Sequence, residues 1–226
     1  MKKNGLSCAV ITPIGPGHEE IYRTRCAPSI EYAIKMGLGP FQSVTAFPVW
    51  DDAGVLGRSV ARNQGVAKAA AGGYDWVFFL DADDVLHGDA FLEVASYIED
   101  YDAIWGAIIE ANSADLSNVK YRDNQIAQID SLQTLVTHDP FLTIQMGHFV
   151  RASVAIKYPF DSAMNAGEDF KYYLQLWGNE ACVKVNSVFF VNIRGSHSTG
   201  PRSASAQDWR ASVTDQLRVA RANLSI

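Results

Sequence analysis

The stretch Trp76-Val77-Phe78-Phe79-Leu80-Asp81-Ala82-Asp83-Asp84 constrains the fold more than any other: five apolar residues run straight into a cluster of three carboxylates. An unbroken apolar run of this length reads as a strand buried on both faces, as central strands of a parallel sheet are. In open α/β sheets, ligands sit in the crevice beyond the carboxyl ends of such strands, where Asp81, Asp83 and Asp84 emerge. Asp81 and Asp83 are two residues apart, so extended backbone points both to one side. Their hard oxygens suit a shared Mg²⁺ or Mn²⁺ that bridges to a diphosphate. Read alone, the cluster equally describes how Asp residues end strands and open turns.

The flanking segments repeat a strand-then-helix pattern. Leu6 to Thr12 is a short apolar strand, stopped by Pro13 in the loop Pro-Ile-Gly-Pro-Gly. Ile21, Tyr22, Cys26, Ile30, Ala33 and Ile34 follow at helical spacing up to Gly37, with a break or restart expected at Pro28. Ser43 to Phe47 is a second strand leading to Asp51 and Asp52; Pro48 either ends it or marks a bulge. Gly57 to Ala71 is an alanine-rich helix closed by Gly72-Gly73. Arg62 and Asn63 lie early in it, where an arginine meets a phosphate beside the positive helix end or is simply a solvated charge. After the acidic strand, Asp89 caps a helix with Phe91, Leu92, Val94, Ala95 and Ile98 as its apolar face. Such alternation predicts an α/β fold with a parallel, doubly wound sheet.

Beyond Asp102 the pattern loosens. Asp102 to Glu110 reads as one strand, Ala111 to Asp130 as polar and loop-rich, and Ser131 to Val136 as a short helix. Pro140 to Ile156 alternates and predicts an antiparallel or crossing strand that begins a second lobe. Glu168-Asp169 opens a helix that runs from Phe170 to Trp177 and stops at Gly178. Cys182 to Asn192 is a last apolar strand, the segment from Arg194 to Ser203 is rich in turn formers, and Trp209, Val213, Leu217 and Ala220 mark a closing amphipathic helix.

Composition narrows the class. With 226 residues, 48% of them hydrophobic, the chain can bury the core of one domain. A net charge of −6 argues against gripping nucleic acid through a broad basic face, although a local basic patch stays open. Cys8, Cys26 and Cys182 are odd in number and widely spaced, which points away from a disulfide framework and towards a reducing, cytoplasmic location. No apolar run approaches the roughly 20 residues needed to span a bilayer, and Met1 to Asn4 leads into a strand rather than a signal peptide.

Thr12-Pro13 after the first strand, Asp51-Asp52 after the second, Ala61-Arg62-Asn63-Gln64-Gly65, and Phe79-Leu80-Asp81-Ala82-Asp83-Asp84 occur in an order that resembles the family 2 type glycosyltransferases of GT-A fold. Glu168-Asp169, Arg194 and His197 extend the resemblance, which covers roughly residues 7–203. It implies a Rossmann-like, mostly parallel central sheet with flanking helices and a small acceptor-side lobe. The expected organisation is a single domain over residues 1–226: a nucleotide-sugar half over about 1–105, an acceptor half over about 106–203, and a C-terminal helix over 204–226.

The resemblance also implies a nucleoside-diphosphate sugar donor, a UDP-sugar first among them, held with a divalent cation (Mn²⁺ or Mg²⁺). Carried over by position, Thr12, Pro13, Asp51 and Asp52 line the base and ribose, with Arg62 and Asn63 nearby. Asp81, Ala82 and Asp83 form the Asp-x-Asp motif. Asp83 is the principal metal ligand, Asp81 contacts ribose or metal, and His197 completes the metal site. Asp169 matches the catalytic base and Glu168 the residue that positions it or binds acceptor hydroxyls. Arg202, in the turn-rich tail, is expected to close over the donor phosphates. The chemistry fits these parts: a cation neutralises charge growing on the leaving diphosphate, while a carboxylate deprotonates the attacking hydroxyl and the anomeric centre inverts.

Three departures limit the reading. Pro48 interrupts the second strand, residues 111–130 carry no acceptor signature, and Gln175-Leu176-Trp177 lacks the arginine of the processive Gln-x-x-Arg-Trp motif. Single-sugar transfer is therefore expected. The acceptor is open, from a glycan to a hydroxymethylated DNA base. Two other classes share parts of the pattern. A nucleotidyltransferase making nucleotide sugars needs basic residues beside its glycine loop, which Gly15-Pro16-Gly17 lacks. An inactive sugar- or nucleotide-binding module needs neither acidic pair.

Overall fold

The computed structural model describes residues 5–195 and 199–226. Its strands are β1 (Leu6–Ile14), β2 (Phe41–Trp50), β3 (Trp76–Phe79), β4 (Val85–Leu86), β5 (Ala103–Trp105), β6 (Ile109–Asn112), β7 (Asp115–Tyr121), β8 (His148–Arg151), β9 (Cys182–Lys184) and β10 (Phe190–Arg194). The helices that frame the sheets include α1 (Ala27–Met36), α2 (Gly57–Ala71), α3 (Ala152–Lys157), α4 (Glu168–Trp177) and α5 (Ala206–Leu224). Six strands form the main sheet in the order β2-β1-β3-β8-β5-β9, and β4-β10-β6-β7 form a second one.

β3 lies mid-sheet and its four residues are wholly buried. Alternate residues supply opposite cores. Ala9, Ile11, Val77 and Phe79 pack with Val66 of α2, Phe170 of α4 and Val213 of α5. Cys8, Val10, Trp76 and Phe78 pack with Ile30 and Ala33 of α1 and with Phe91 and Val94. Each large side chain buried in this way contributes about 1.5–3 kcal/mol of transfer free energy, which is why the run has no polar alternation. Gly65 lets α2 settle on β1, because a Cβ there would lie 2.4 Å from Ile11 Cγ2. Cys8, Cys26 and Cys182 are buried free thiols. Among the described residues, no helix is long and apolar enough to cross a membrane.

Both prolines expected to interrupt strands are accommodated inside them. β1 continues through Pro13 to Ile14. Leu80 N–H bonds to Ile11 O, the end of the β3 ladder, so Pro13, two residues on, faces a side with no further partner. β2 runs through Pro48, which pairs with Thr12, and shows neither the stop nor the bulge expected there. β2 is an edge strand, and Asp51 N–H points inward to Ile14 O, so alternation turns position 48 outward. The helix around Pro28 does not break either. Its preceding turn, Tyr22–Cys26, widens to a π turn, and Ala27 N–H bonds back to Tyr22 O.

The second half departs further from expectation. The strand expected over residues 102–110 is two strands in different sheets, β5 and β6, and the one expected over 182–192 is likewise β9 and β10. β5 pairs β9 in parallel and β6 pairs β10 in parallel, so the two segments step together from one sheet to the other. Gly106 permits the step: a Cβ there would lie 2.5 Å from the Ser187 carbonyl oxygen. Part of the stretch expected to be loop-rich is β7, antiparallel to β6. β8 does not begin a second lobe; it inserts antiparallel between β3 and β5 at the centre of the main sheet. Asp89 precedes its helix without a side-chain cap bond, and Leu92 and Ala95 are exposed.

Candidate active site

The carboxyl end of β3, the loop after β1 and the start of α2 enclose a cleft of about 190 Å³. Its wall includes Pro13, Asp51, Arg58, Arg62, Asp81, Ala82, Asp83 and Arg202. Asp51 accepts from the backbone N–H groups of Leu56 (3.2 Å) and Gly57 (2.8 Å), which fixes the start of α2 against the second strand. The start of that helix borders the cleft, with Asp51 meeting its positive end.

Arg58 and Arg62 are one helical turn apart and share one carboxylate. Arg62 Nη2 donates to Asp81 Oδ1 at 2.6 Å and Nη1 to Glu168 Oε1 at 3.4 Å. Burial works against the charge on Arg62, but the fields of Asp81 and Glu168 more than offset it and raise its pKa. Arg58 grips Glu168 through Nε to Oε1 and through Nη2 to Oε2 at 3.2 Å, and its Nη2 also reaches the Asn165 carbonyl at 2.8 Å. Glu168 is buried and Arg58 half-exposed, so the pair joins the protein interior to the cleft. A buried carboxylate held by two guanidiniums is a costly arrangement to break, at about 3–5 kcal/mol.

Asp169 is the next residue of α4. Its Oδ1 accepts from Phe170 N–H at 2.8 Å, and the Trp209 indole N–H, from α5, is bifurcated between Oδ1 (3.0 Å) and Oδ2 (3.2 Å). Desolvation and the neighbouring Glu168 charge push its carboxyl up to about 6, against the Trp209 bond, which lowers it. A carboxylate tuned this way is ionised at neutral pH and a better proton acceptor than an ordinary aspartate.

Other expected site residues lie off the cleft wall or are bonded to the protein itself. Thr12 is buried behind it, 1% exposed, and Asp52 is exposed outside its wall. Asn63 spends both ends of its amide on the backbone of Phe160, at 2.8 and 2.9 Å, tying α2 to the chain after α3. Arg202 lines the cleft, but its guanidinium is committed to protein acceptors: Asn165 Oδ1 and the carbonyls of Leu56, Ser162 and Met164. It straps the tail across the start of α2. Asp84 is buried and accepts from Ile193 N–H at 2.8 Å and Asn192 Nδ2 at 3.1 Å, joining the acidic motif to the second sheet. Burial first, then Asp83 and Asp81, hold its pKa well above the usual carboxylate range. His197 lies outside the described residues.

A family model described as "Glycosyl transferase family 2" matches residues 51–165, half of the chain. The chain belongs to glycosyl transferase family 2. The match contains Arg58, Arg62 and the Asp81–Asp83 motif and stops short of Glu168 and Asp169. No curated protein matches the chain. Among solved structures, S. aureus TarS 1-349 in complex with UDP-GlcNAc aligns with a TM-score of 0.65 at 13% identity, over 95% of this chain and 66% of that one. The same TarS fragment with UDP gives 0.63 at 13% identity, over 95% and 65%. A further TarS structure gives 0.63 at 12% identity, over 95% and 39%. The chain thus spans less than two thirds of the TarS chains it matches. At these identities the likeness shows the fold, which is GT-A, with a six-stranded, mostly parallel central sheet and flanking helices.

In this family 2 glycosyl transferase two site residues escaped the sequence reading. Arg58 carried a signal, since it precedes Arg62 by four residues and so shares its helical face. Trp209 carried none: it reads as one more apolar position of the closing helix, and only the packing of α5 on α4 brings its N–H to Asp169. As for a cation, among the described residues no group of three ligating side chains gathers. Asp81 and Asp83 nevertheless face one cleft. Two carboxylates completed by substrate phosphate oxygens are the usual donor set for Mg²⁺, so the residues present fit such an ion.

Proposed function

We propose that the protein is a metal-dependent, inverting, non-processive glycosyltransferase that moves a sugar from a UDP-sugar to an acceptor hydroxyl. The observation that carries this reading is one cleft that joins the two cleft-facing carboxylates of the acidic motif to Arg58 and Arg62, with Glu168 of α4 bonded to both arginines and Asp169 next to it in the chain. Pro13 and Asp51 border the nucleoside, and Arg58 and Arg62 draw in the diphosphate. Asp83 and Asp81 would hold Mg²⁺ or Mn²⁺. The chemistry this ion supplies is neutralisation of charge at the leaving diphosphate.

Asp169 takes the proton of the acceptor hydroxyl as its oxygen bonds to the anomeric carbon. The bond from that carbon to the diphosphate breaks on the opposite side, and UDP leaves with the electron pair. Glu168, clamped by the two arginines, fixes the first turn of α4 and hence the aim of Asp169. One displacement inverts the anomeric centre, with no covalent intermediate.

UDP release from UDP-GlcNAc or UDP-glucose, followed with and without Mn²⁺, tests the assignment. The expected result is metal-dependent UDP release and a melting temperature raised by UDP with Mn²⁺ more than by either alone. Consumption of pyrophosphate with a sugar phosphate and UTP would move the protein to the nucleotidyltransferases. Binding without turnover would make it an inactive module.

A further inference from the structure

The chain is acidic overall, yet three arginines gather around one ring outside the donor cleft. The guanidinium carbons of Arg122, Arg194 and Arg210 lie 4.1, 5.0 and 5.9 Å from the centre of Phe141. Arg122 is internal and saturated: it donates to Glu110 Oε2 at 3.2 Å, to the Phe141 carbonyl at 2.8 Å and to Gln145 Oε1 at 2.6 Å. Among the described residues Arg194 has only the more distant share of the same Glu110, at 3.5 Å, and its side chain is 46% exposed. Arg210 is exposed and, among the described residues, has no carboxylate partner within salt-bridge distance. Glu110 therefore serves two of the three guanidiniums, Arg122 at the shorter distance, and the two solvent-facing ones carry the surplus positive charge. The apolar ring beneath them limits their solvation on one side, which strengthens their attraction for an anion.

The position of this pair matters. Arg210 directly follows Trp209 on α5, and Trp209 bonds to Asp169 of α4, so one helix carries both part of the patch and the donor to the proposed base. Arg194 also forms one wall of a groove of about 280 Å³ beside the β6–β7 hairpin, whose other walls include Asn112, Asp115, Asn118 and Lys120. Carboxylate and amide groups of that kind hydrogen-bond hydroxyls.

We propose that the acceptor is a polyhydroxylated phosphate ester, its phosphate held by Arg194 and Arg210 over Phe141 and its hydroxyls in the groove of the β6–β7 hairpin. This rests on the glycosyl-transfer reading above and adds the acceptor class to it. Two guanidiniums meet a phosphate with paired N–H donors, which an uncharged glycan does not offer them.

Calorimetric titration with glycerol 1-phosphate, in saturating UDP and Mn²⁺ so that the donor cleft is filled, tests the site. Saturable binding with a Kd on the order of 1 mM is expected, with none for glycerol. The Arg194→Gln/Arg210→Gln double variant should weaken it about 10-fold or more, the loss of charge-assisted bonds. Arg218→Gln, which removes an exposed charge elsewhere on α5, should leave the Kd within about 2-fold. Equal affinity in the double variant, equal binding of glycerol, or no saturable binding in the wild type overturns the proposal. UDP affinity measured in the same cell reports separately on the donor reading: if UDP fails to bind, that reading fails, whatever glycerol 1-phosphate does.

Discussion

The indole N–H of Trp209 sits 3.0 Å from Asp169 Oδ1 and 3.2 Å from Oδ2, so the C-terminal helix supplies a donor to both oxygens of the proposed base. That bond stabilises the ionised carboxylate against desolvation and the charge of Glu168. Activity requiring ionised Asp169 should fall below a pH of about 6. Trp209→Phe keeps the ring but removes the donor, so the acid limb of kcat/KM should move to higher pH and kcat should drop. A limb unmoved by the substitution would show that the indole packs without tuning the base.

Asp169→Asn removes the proton acceptor while keeping shape. Turnover should fall by about 10²–10⁴-fold with UDP affinity retained, since general-base contributions are of that size. Near-normal turnover would move the base elsewhere.

Arg62 bridges Asp81 and Glu168, which are far apart in the chain. Arg62→Met leaves Asp81 without its cation and Glu168 with Arg58 alone, and thermal unfolding should show a loss of about 3–5 kcal/mol. Arg62→Lys should not restore the melting temperature, because a single ammonium cannot reach both carboxylates with the fork geometry of a guanidinium. Full recovery by lysine would show that charge alone matters at this position.

Lys184 is wholly buried, and among the described residues its Nζ bonds one neutral partner, Gln125 Oε1 at 3.3 Å. Desolvation, with Arg122 adding to it, lowers its pKa to about 7. The folded chain thus gives up this proton more readily than the unfolded chain. The stability linked to Lys184 rises with pH above about 7, is complete once the unfolded lysine has also deprotonated, and is lost as pH falls through about 7. Lys184→Met should flatten that dependence and raise the melting temperature most below pH 7, measured by calorimetry across the range.

Asn63 illustrates how a motif residue splits between reading and structure. Its place beside Arg62 marks the family pattern, but its amide is consumed by Phe160 backbone 97 residues away in sequence. Arg202 is similar. Its charge and its place in a mobile-looking composition suggested a phosphate contact, whereas four protein acceptors take its guanidinium. A side chain's residue type indicates what it can bond, and packing selects which partner reaches it first.

The sequence by itself determined the buried central strand, the acidic cluster at its end, the helix over Gly57–Ala71 that carries the arginines, and the acidic start of α4. All of these are set by local apolar periodicity and by motifs spanning a few residues. Tertiary structure alone decided that β8 runs antiparallel through the sheet centre, that paired strands step between two sheets at Gly106, and that Arg58, Arg62, Glu168 and Trp209 meet around one site. Those outcomes depend on contacts between residues 40 to 110 positions apart. Their energies arise only when distant surfaces exclude water together, so no short window of sequence records them.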